Sequence, residues 1–168
     1  MNPKKPIIPA WHFAGERLRN GDRVPVNGKW LTWNGPLKMC ESGLHASREP
    51  FDALQYAPGP ILCKVECDGK IIEQNDKLVC QRRRILARVD ATELLRYFAR
   101  TQALSVVHLW DAPDIVLDYL MMDDENIQAA ARAAAWAAAW AAARAAAWAA
   151  AWDAARKDFN ILAEEVFS

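Results

Sequence analysis

The chain has no net charge: 21 Lys and Arg offset 21 Asp and Glu over 168 residues. That absence argues against a nucleic-acid binder, which presents a basic face to phosphate. The balance holds regionally, since 124–168 carries four basic and six acidic residues and the remainder is only slightly basic. The opening "MNPKKPIIPAW" lacks the apolar core of a secretory signal, so a cytoplasmic location is expected. Long apolar runs free of charge are also missing. Arginines break the Ala-rich segment, each costing about 2.5–3.5 kcal/mol at a bilayer centre, so no transmembrane span is expected. The membrane contact left open is interfacial, through Trp and Arg.

Metal ligands are few. Cys40, Cys63, Cys67 and Cys80 read as reduced thiols. Cys63 and Cys67 share a strand-like run, where four residues span about 13 Å, too far for one ion to bridge. Cys40 and His45 supply two ligands, short of a zinc site. Neither a metal nor a cofactor is expected.

What the chain does have is strand signal followed by helix signal, which predicts an α+β fold: a small, mostly antiparallel sheet with one short helix, then C-terminal helices. The division expected is an α+β body over 1–90, packing helices over 91–122 and an Ala/Trp-repeat helix with its tail over 123–168. Within the body, "WHFAG" (11–15) reads as a strand, and "DRVPVNGKWLTWNGP" (22–36) as a hairpin turning at Asn27-Gly28. Ser47 is a plausible N-cap for a helix over 48–57 with Pro50 in its first turn. "ILCKVECDGKIIE" (61–73) reads as a hairpin turning at Asp68-Gly69, with Ile61, Cys63, Val65 and Cys67 on one face. Further strand follows in "KLVC" (77–80) and "RILARV" (84–89). "DATE" (90–93) is a capping box that opens a helix over 94–110. Asp111 and Pro113 open the next helix over 113–122, and Asp123 and Asp124 the Ala-rich one.

From Ala129 to Arg156 the chain reads "AAARAAAWAAAWAAARAAAWAAAWDAAR". Alanine is the best helix former, so 126–157 is expected to be helical. A four-residue period drifts about 40° per step around an ideal helix. Trp136, Trp140, Trp148 and Trp152 therefore share one hemisphere in a slow spiral, with Arg144 inside the arc, which is not a heptad seam. Each indole buries about 150–250 Å² when covered. Four of them in water would make an unusually large apolar patch. The partners this predicts are the chain's own body, a second copy in a homo-oligomer, or a host protein.

Reactive side chains concentrate elsewhere. "CESGLHASREPFDALQYA" (40–57) places Cys40, Glu41, Ser42, His45 and Ser47 within eight residues, ahead of a helix that ends near Tyr56. Cys40, His45, Ser47 and Tyr56 are the candidate catalytic or binding residues. A Cys/His pair needs hydrogen-bond reach and a third, orienting group. A semi-buried structural His45 with Ser47 serving as a cap explains the same spacing. His12 and His108 read as structural. Arg82, Arg84 and Arg88 fall on one strand face, which reads as solvated or guarding an edge.

The stretches "CESGLHAS", "PFDALQYA", "ILCKVECDGKI" and "DKLVC" resemble a domain of unknown function of tailed-phage and bacterial proteins. That family has a Cys-x-x-Gly-[Phe/Leu]-His-Ala core ahead of a Pro-[Phe/Leu]-Asp helix and a hairpin. "LWDAPDIVLDYL" with the Ala/Trp/Arg tetrads is similar to tails of such proteins. The resemblance implies phage or prophage origin and a place in the host cytoplasm. It lends no settled activity. A remoter likeness, in the order glycine turn, Ser, Ala-x-x-Tyr helix and apolar strand, is to ADP-ribosyltransferases. It implies that His45, Ser47 and Tyr56 lie near a nucleotide pocket. "RILARV" lacks the catalytic glutamate of those enzymes, which favours an inactive or nucleotide-binding relative. Two functions are thus expected: an accessory protein binding through its Trp/Ala helical surface, in host takeover or anti-defence, or an NAD- or ADP-ribose-binding enzyme or sensor using 40–56.

Overall fold

The structure is a computed structural model that describes residues 7–18, 21–109, 112–142 and 148–167. It is α+β, as the order of strand and helix signals predicts. In chain order the elements of the body are β1 (Ile8–Ala14), β2 (Trp30–Thr32), β3 (Leu44–Ala46), α1 (Pro50–Leu54), β4 (Ile61–Glu73) and β5 (Leu78–Asp90).

The sheet is built on the long antiparallel pair β4–β5. Its turn lies at 74–77, where the Gln74 N–H donates to the Lys77 carbonyl at 2.8 Å. This corrects the expected turn at Asp68-Gly69. Gly69 has φ +81°, but it sits at a β-bulge inside a continuous strand, and its N–H donates to Asp68 Oδ1 at 2.7 Å. A bulge and a tight turn make the same demand for a left-handed glycine, so the sequence signal is shared. β1 lines the far edge of β4 in antiparallel register, with His12 opposite Cys63 and Ala10 opposite Val65.

The other edge of β5 is divided between two short strands. β2 pairs with Arg82–Arg84, and β3 pairs with Leu78–Cys80. The hairpin expected over 22–36 is therefore corrected: the 27–28 turn forms, but 24–26 is not a strand and β2 bonds to β5. Pro25 has no N–H to give a ladder. Its carbonyl instead accepts from Arg88 Nη2 at 2.6 Å, while Arg88 Nε donates to Asn27 Oδ1 at 2.9 Å.

One further pair closes the sheet. The Trp11 N–H donates to the Ser47 carbonyl at 2.7 Å, and the Ser47 N–H returns to Trp11 at 2.9 Å. β1, β4, β5 and β3 thereby form a ring around an inner cluster that includes Ala10, Ala14, Ala46, Cys63, Val65, Cys67, Leu78, Cys80 and Ile85. Ser47 is thus a buried strand-end residue and not an N-cap, a third correction. α1 has no cap from its own N-cap residue, Glu49. Asn160 supplies it from the far end of the sequence: its Oδ1 accepts the Phe51 N–H at 2.8 Å, and its Nδ2 donates to Glu49 at 3.0 Å.

The remaining elements are α2 (Thr92–Val106), a 3-10 turn (Val107–Leu109), α3 (Asp114–Met122), α4 (Glu125–Ala142) and α5 (Trp148–Glu165). The chain divides into two compact units, Met1–Thr92 with Arg156–Ser168, and Glu93–Ala155. The division thus runs through α5, and 156–167 belong with the body. There Phe159 is fully buried, 5.9 Å from the Phe51 ring and 6.4 Å from Phe13. Trp11 meets Phe167 edge-on at 5.5 Å, with Lys64 over both rings and paired to Glu164 at 2.9 Å. Arg156 pairs with Asp52, whose side chain is 2% exposed.

In the second unit, Asp123 takes the left-handed conformation that ends α3 and binds Arg96 at 3.4 Å and Arg100 at 3.2 Å. Asp124 Oδ1 caps α4 through the Asn126 N–H at 2.9 Å. Asp90 likewise accepts the Thr92 N–H at 2.9 Å at the start of α2, while Glu93 of the expected capping box faces Arg96. Trp136, Trp140 and Trp148 lie on described helix backbone, but their side chains, like the whole of Asp111 and Arg144, fall outside the described residues.

Replacing Phe159 by Ala removes the ring on which Phe13 and Phe51 converge. Urea denaturation is expected to show a loss of about 3–5 kcal/mol. Ile161→Ala, at a half-exposed position of the same helix, is expected to stay within about 0.5 kcal/mol of wild type. Equal losses from the two would contradict the packing of 156–167 on the body.

Candidate ligand-binding cleft

The motif "CESGLHAS" becomes a compact loop with a structural task for each residue. The Lys38 N–H donates to Ser42 and the Ser42 N–H returns to Lys38, closing a tight turn at 3.0 and 2.9 Å. Cys40 is held at φ +64°, a left-handed conformation that costs a non-glycine residue about 1–2 kcal/mol. His45 compensates by accepting the Cys40 N–H on Nε2 at 3.0 Å. An accepting Nε2 requires the imidazole proton on Nδ1. Gly43 has φ +114°, and a Cβ there would come within 2.4 Å of Val79 Cγ2 and 2.8 Å of Leu37 Cδ2. Only glycine fits both the conformation and the space. Ala46 then enters the inner cluster and Ser47 closes the ring with Trp11.

This loop forms one wall of a cleft of about 740 Å³. Its volume falls within the roughly 300–1,000 Å³ range of small-molecule sites. All four candidates from the sequence, Cys40, His45, Ser47 and Tyr56, line it. Apolar lining comes from Trp11, Leu18, Leu31, Trp33, Leu44 and Pro58. Trp33 is fixed by its indole N–H, which donates to the Pro36 carbonyl at 3.1 Å. Tyr56 donates its hydroxyl proton to Asp76 and accepts from Lys77 Nζ at 3.0 Å, with Lys77 also 4.7 Å above its ring. The phenol hydrogen bond holds the Asp76 carboxyl below its usual range and raises the Lys77 ammonium.

Among the lining residues outside the candidate set are two polar side chains from the long strands, His12 and Arg83. His12 projects from β1, and burial pushes its imidazole well below the usual range, with Arg83 and His45 adding to the effect. It is neutral at pH 7. Arg83 projects from β5 and is 5% exposed. Burial lowers its guanidinium too, yet arginine stays charged in proteins. The signal for Arg83 was in the sequence. Arg82 and Arg84 share the outer face, both against the Trp30 ring at 4.7 and 4.8 Å. The residue between them must point inward, in phase with Ile85. Arg82 pairs with Asp68 at 2.9 Å and Arg84 with Glu66 at 2.6 Å, so the outer face is an ion-pair ladder.

The buried thiols differ: the hydrogen bond from Cys67, with Arg83 adding, lowers Cys80. Burial raises Cys63, and the hydrogen bond to Cys80 together with burial raises Cys67. Among the described residues no cluster of three His, Cys, Asp or Glu could hold a metal ion. No described helix is long and apolar enough to cross a membrane. His108 is exposed, in the 3-10 turn after α2.

Residues 23–97 match a domain of unknown function, DUF7666. The match covers β2, β3, α1, β4 and β5, and so most of the cleft lining, but not β1 or 156–167. No curated protein and no solved structure matches the chain.

Stability should report on His12. The unfolded imidazole takes up a proton near pH 6.5, whereas the folded one does so only at lower pH, so the unfolded state binds more protons in that window. Stability therefore falls as pH drops below about 6.5 toward the folded value. The unfolding free energy of His12→Gln, compared by urea titration between pH 7.5 and 5, is expected to fall less steeply than that of wild type. Identical slopes would contradict a partly buried, neutral His12.

Proposed function

We propose that the body is a small-molecule-binding module whose cleft takes a nucleotide-type ligand, with the planar base against Trp33 and Leu31. The observation that carries this reading is the convergence of Cys40, His45, Ser47 and Tyr56 on one cleft of about 740 Å³ with aromatic walls. Arg17, Lys77 and Arg83 line it with one lining acid, Glu41, which leans on Lys38 at 3.4 Å, while Asp76 stands 3.9 Å from Lys77. That balance favours an anionic ligand. The acid on β5, Asp90, is occupied in capping α2, which supports binding or sensing over glycosyl transfer. The likeness to ADP-ribosyltransferases makes NAD and ADP-ribose the first ligands to test.

A second reading rests on the helices. Trp152 is 45% exposed, in keeping with an Ala/Trp surface made for another chain. In this reading the protein is a phage-encoded accessory factor that self-associates or captures a host protein through Trp136, Trp140, Trp148 and Trp152. Buried tryptophan is a common anchor of such interfaces. Light scattering should then give a mass above that of one chain, and replacing the four tryptophans by Ala should return it to one chain with helicity kept. A wild-type monomer at high concentration would remove the self-association form.

For the cleft, NAD, ADP-ribose, AMP and adenosine at saturating concentration are compared by thermal denaturation. A ligand at a hundred times its dissociation constant adds about 2.7 kcal/mol, which raises the midpoint by roughly 5–10 °C in a chain of this size. Tyr56→Phe, which leaves the ring but removes the hydroxyl, is expected to reduce the rise. No shift with any of the four contradicts the proposal.

A further inference from the structure

We propose that Arg83 is the anion anchor of the cleft and that the group it receives is a phosphate, free or as the ester of a nucleotide. The inference rests on the reading of the cleft as a small-molecule site and names the chemistry at its inner end.

The guanidinium carries five N–H donors in a planar fork. Its Nη1 donates to the His45 carbonyl. No carboxylate pairs with it among the described residues. Its neighbours in sequence behave differently, since Arg82 and Arg84 on the outer face each hold an acid. Its titratable neighbours are Cys63, Cys67 and Cys80, whose thiols are weak acceptors. A charge 5% exposed without a carboxylate partner is costly to bury. Arg83 lines the cleft, so an incoming oxyanion reaches it without disturbing the ring of strands.

The surroundings select phosphate. The fork matches two oxygens of one phosphate, and arginine is the usual residue for such bidentate recognition. Neutral His12 stands beside Arg83 on the inner face and can give a third oxygen one N–H. Lys77 and Arg17 add positive charge along the same cleft. A phosphate that titrates near pH 6 gains charge as it enters such a site.

The test is calorimetric titration of the full chain with inorganic phosphate, pyrophosphate, AMP and adenosine. AMP is expected to bind roughly ten- to a hundredfold more tightly than adenosine, the range for hydrogen bonds to a charged group. Arg83→Met is expected to bring AMP down to the adenosine level, with an unliganded melting temperature at or above wild type. Arg83→Lys, which keeps the charge and loses the fork, is expected to fall between them. Binding of inorganic phosphate without AMP would uphold the anchor and identify free phosphate as its source. Equal binding of AMP and adenosine, or undiminished AMP binding by Arg83→Met, would overturn the anchor while leaving the cleft reading intact. Silence from all four probes would overturn both.

Discussion

The backbone pair between Trp11 and Ser47 is the contact on which the rest of the body depends. Without it β1 is an edge strand held from one side, and β3 is three residues attached to β5. With it, four strands close around small side chains, Ala10, Ala14, Ala46 and the cysteines. Small residues let the ring close tightly, and that closure sets His12 and Arg83 against the inner end of the cleft. The Cys40–Ser47 loop is read through the same contact. Gly43 and the His45 hydrogen bond to Cys40 deliver Ser47 to Trp11 in register, so a motif that looks like an active site in sequence is first a device for closing a sheet.

The C-terminal residues complete the body from outside that ring. α1 is only five residues long and lacks its own cap, and a helix so short is not stable alone. Asn160 caps it, Phe159 packs beneath it and Arg156 pairs with Asp52 inside its first turn. The position of Tyr56 at the cleft, with Asp76 and Lys77, depends on α1 being held there. Residues separated by more than a hundred positions thereby cooperate at one site.

The sequence revealed the fold class, the strand-rich body, the caps at Asp90 and Asp124 and the four candidate residues that meet in the cleft. Pairing was less legible. Gly69 carries a left-handed signal that fits a turn or a bulge, and only the competition for β5 settles which. Asn27-Gly28 marked a real turn, but the free edge of β5 offered β2 a better partner than a segment containing Pro25. Ser47 has the chemistry of a cap and the role of a strand end, because its partner lies 36 residues earlier, beyond any local pattern. Arg83 was concealed by its neighbours: Arg82, Arg84 and Arg88 read as a solvated face, and the same alternation turns the residue between the first two inward. The cap from Asn160 has no local signature.

The account depends most on a guanidinium shielded from water inside a closed sheet and open to the cleft. Nitrogen-15 NMR of arginine-labelled protein observes that group directly. The Arg83 Nε–H is expected to exchange with solvent far more slowly than those of exposed arginines such as Arg132, and to shift when pyrophosphate is added. Exchange as fast as at Arg132, with no response to pyrophosphate, would contradict both the closure and the site.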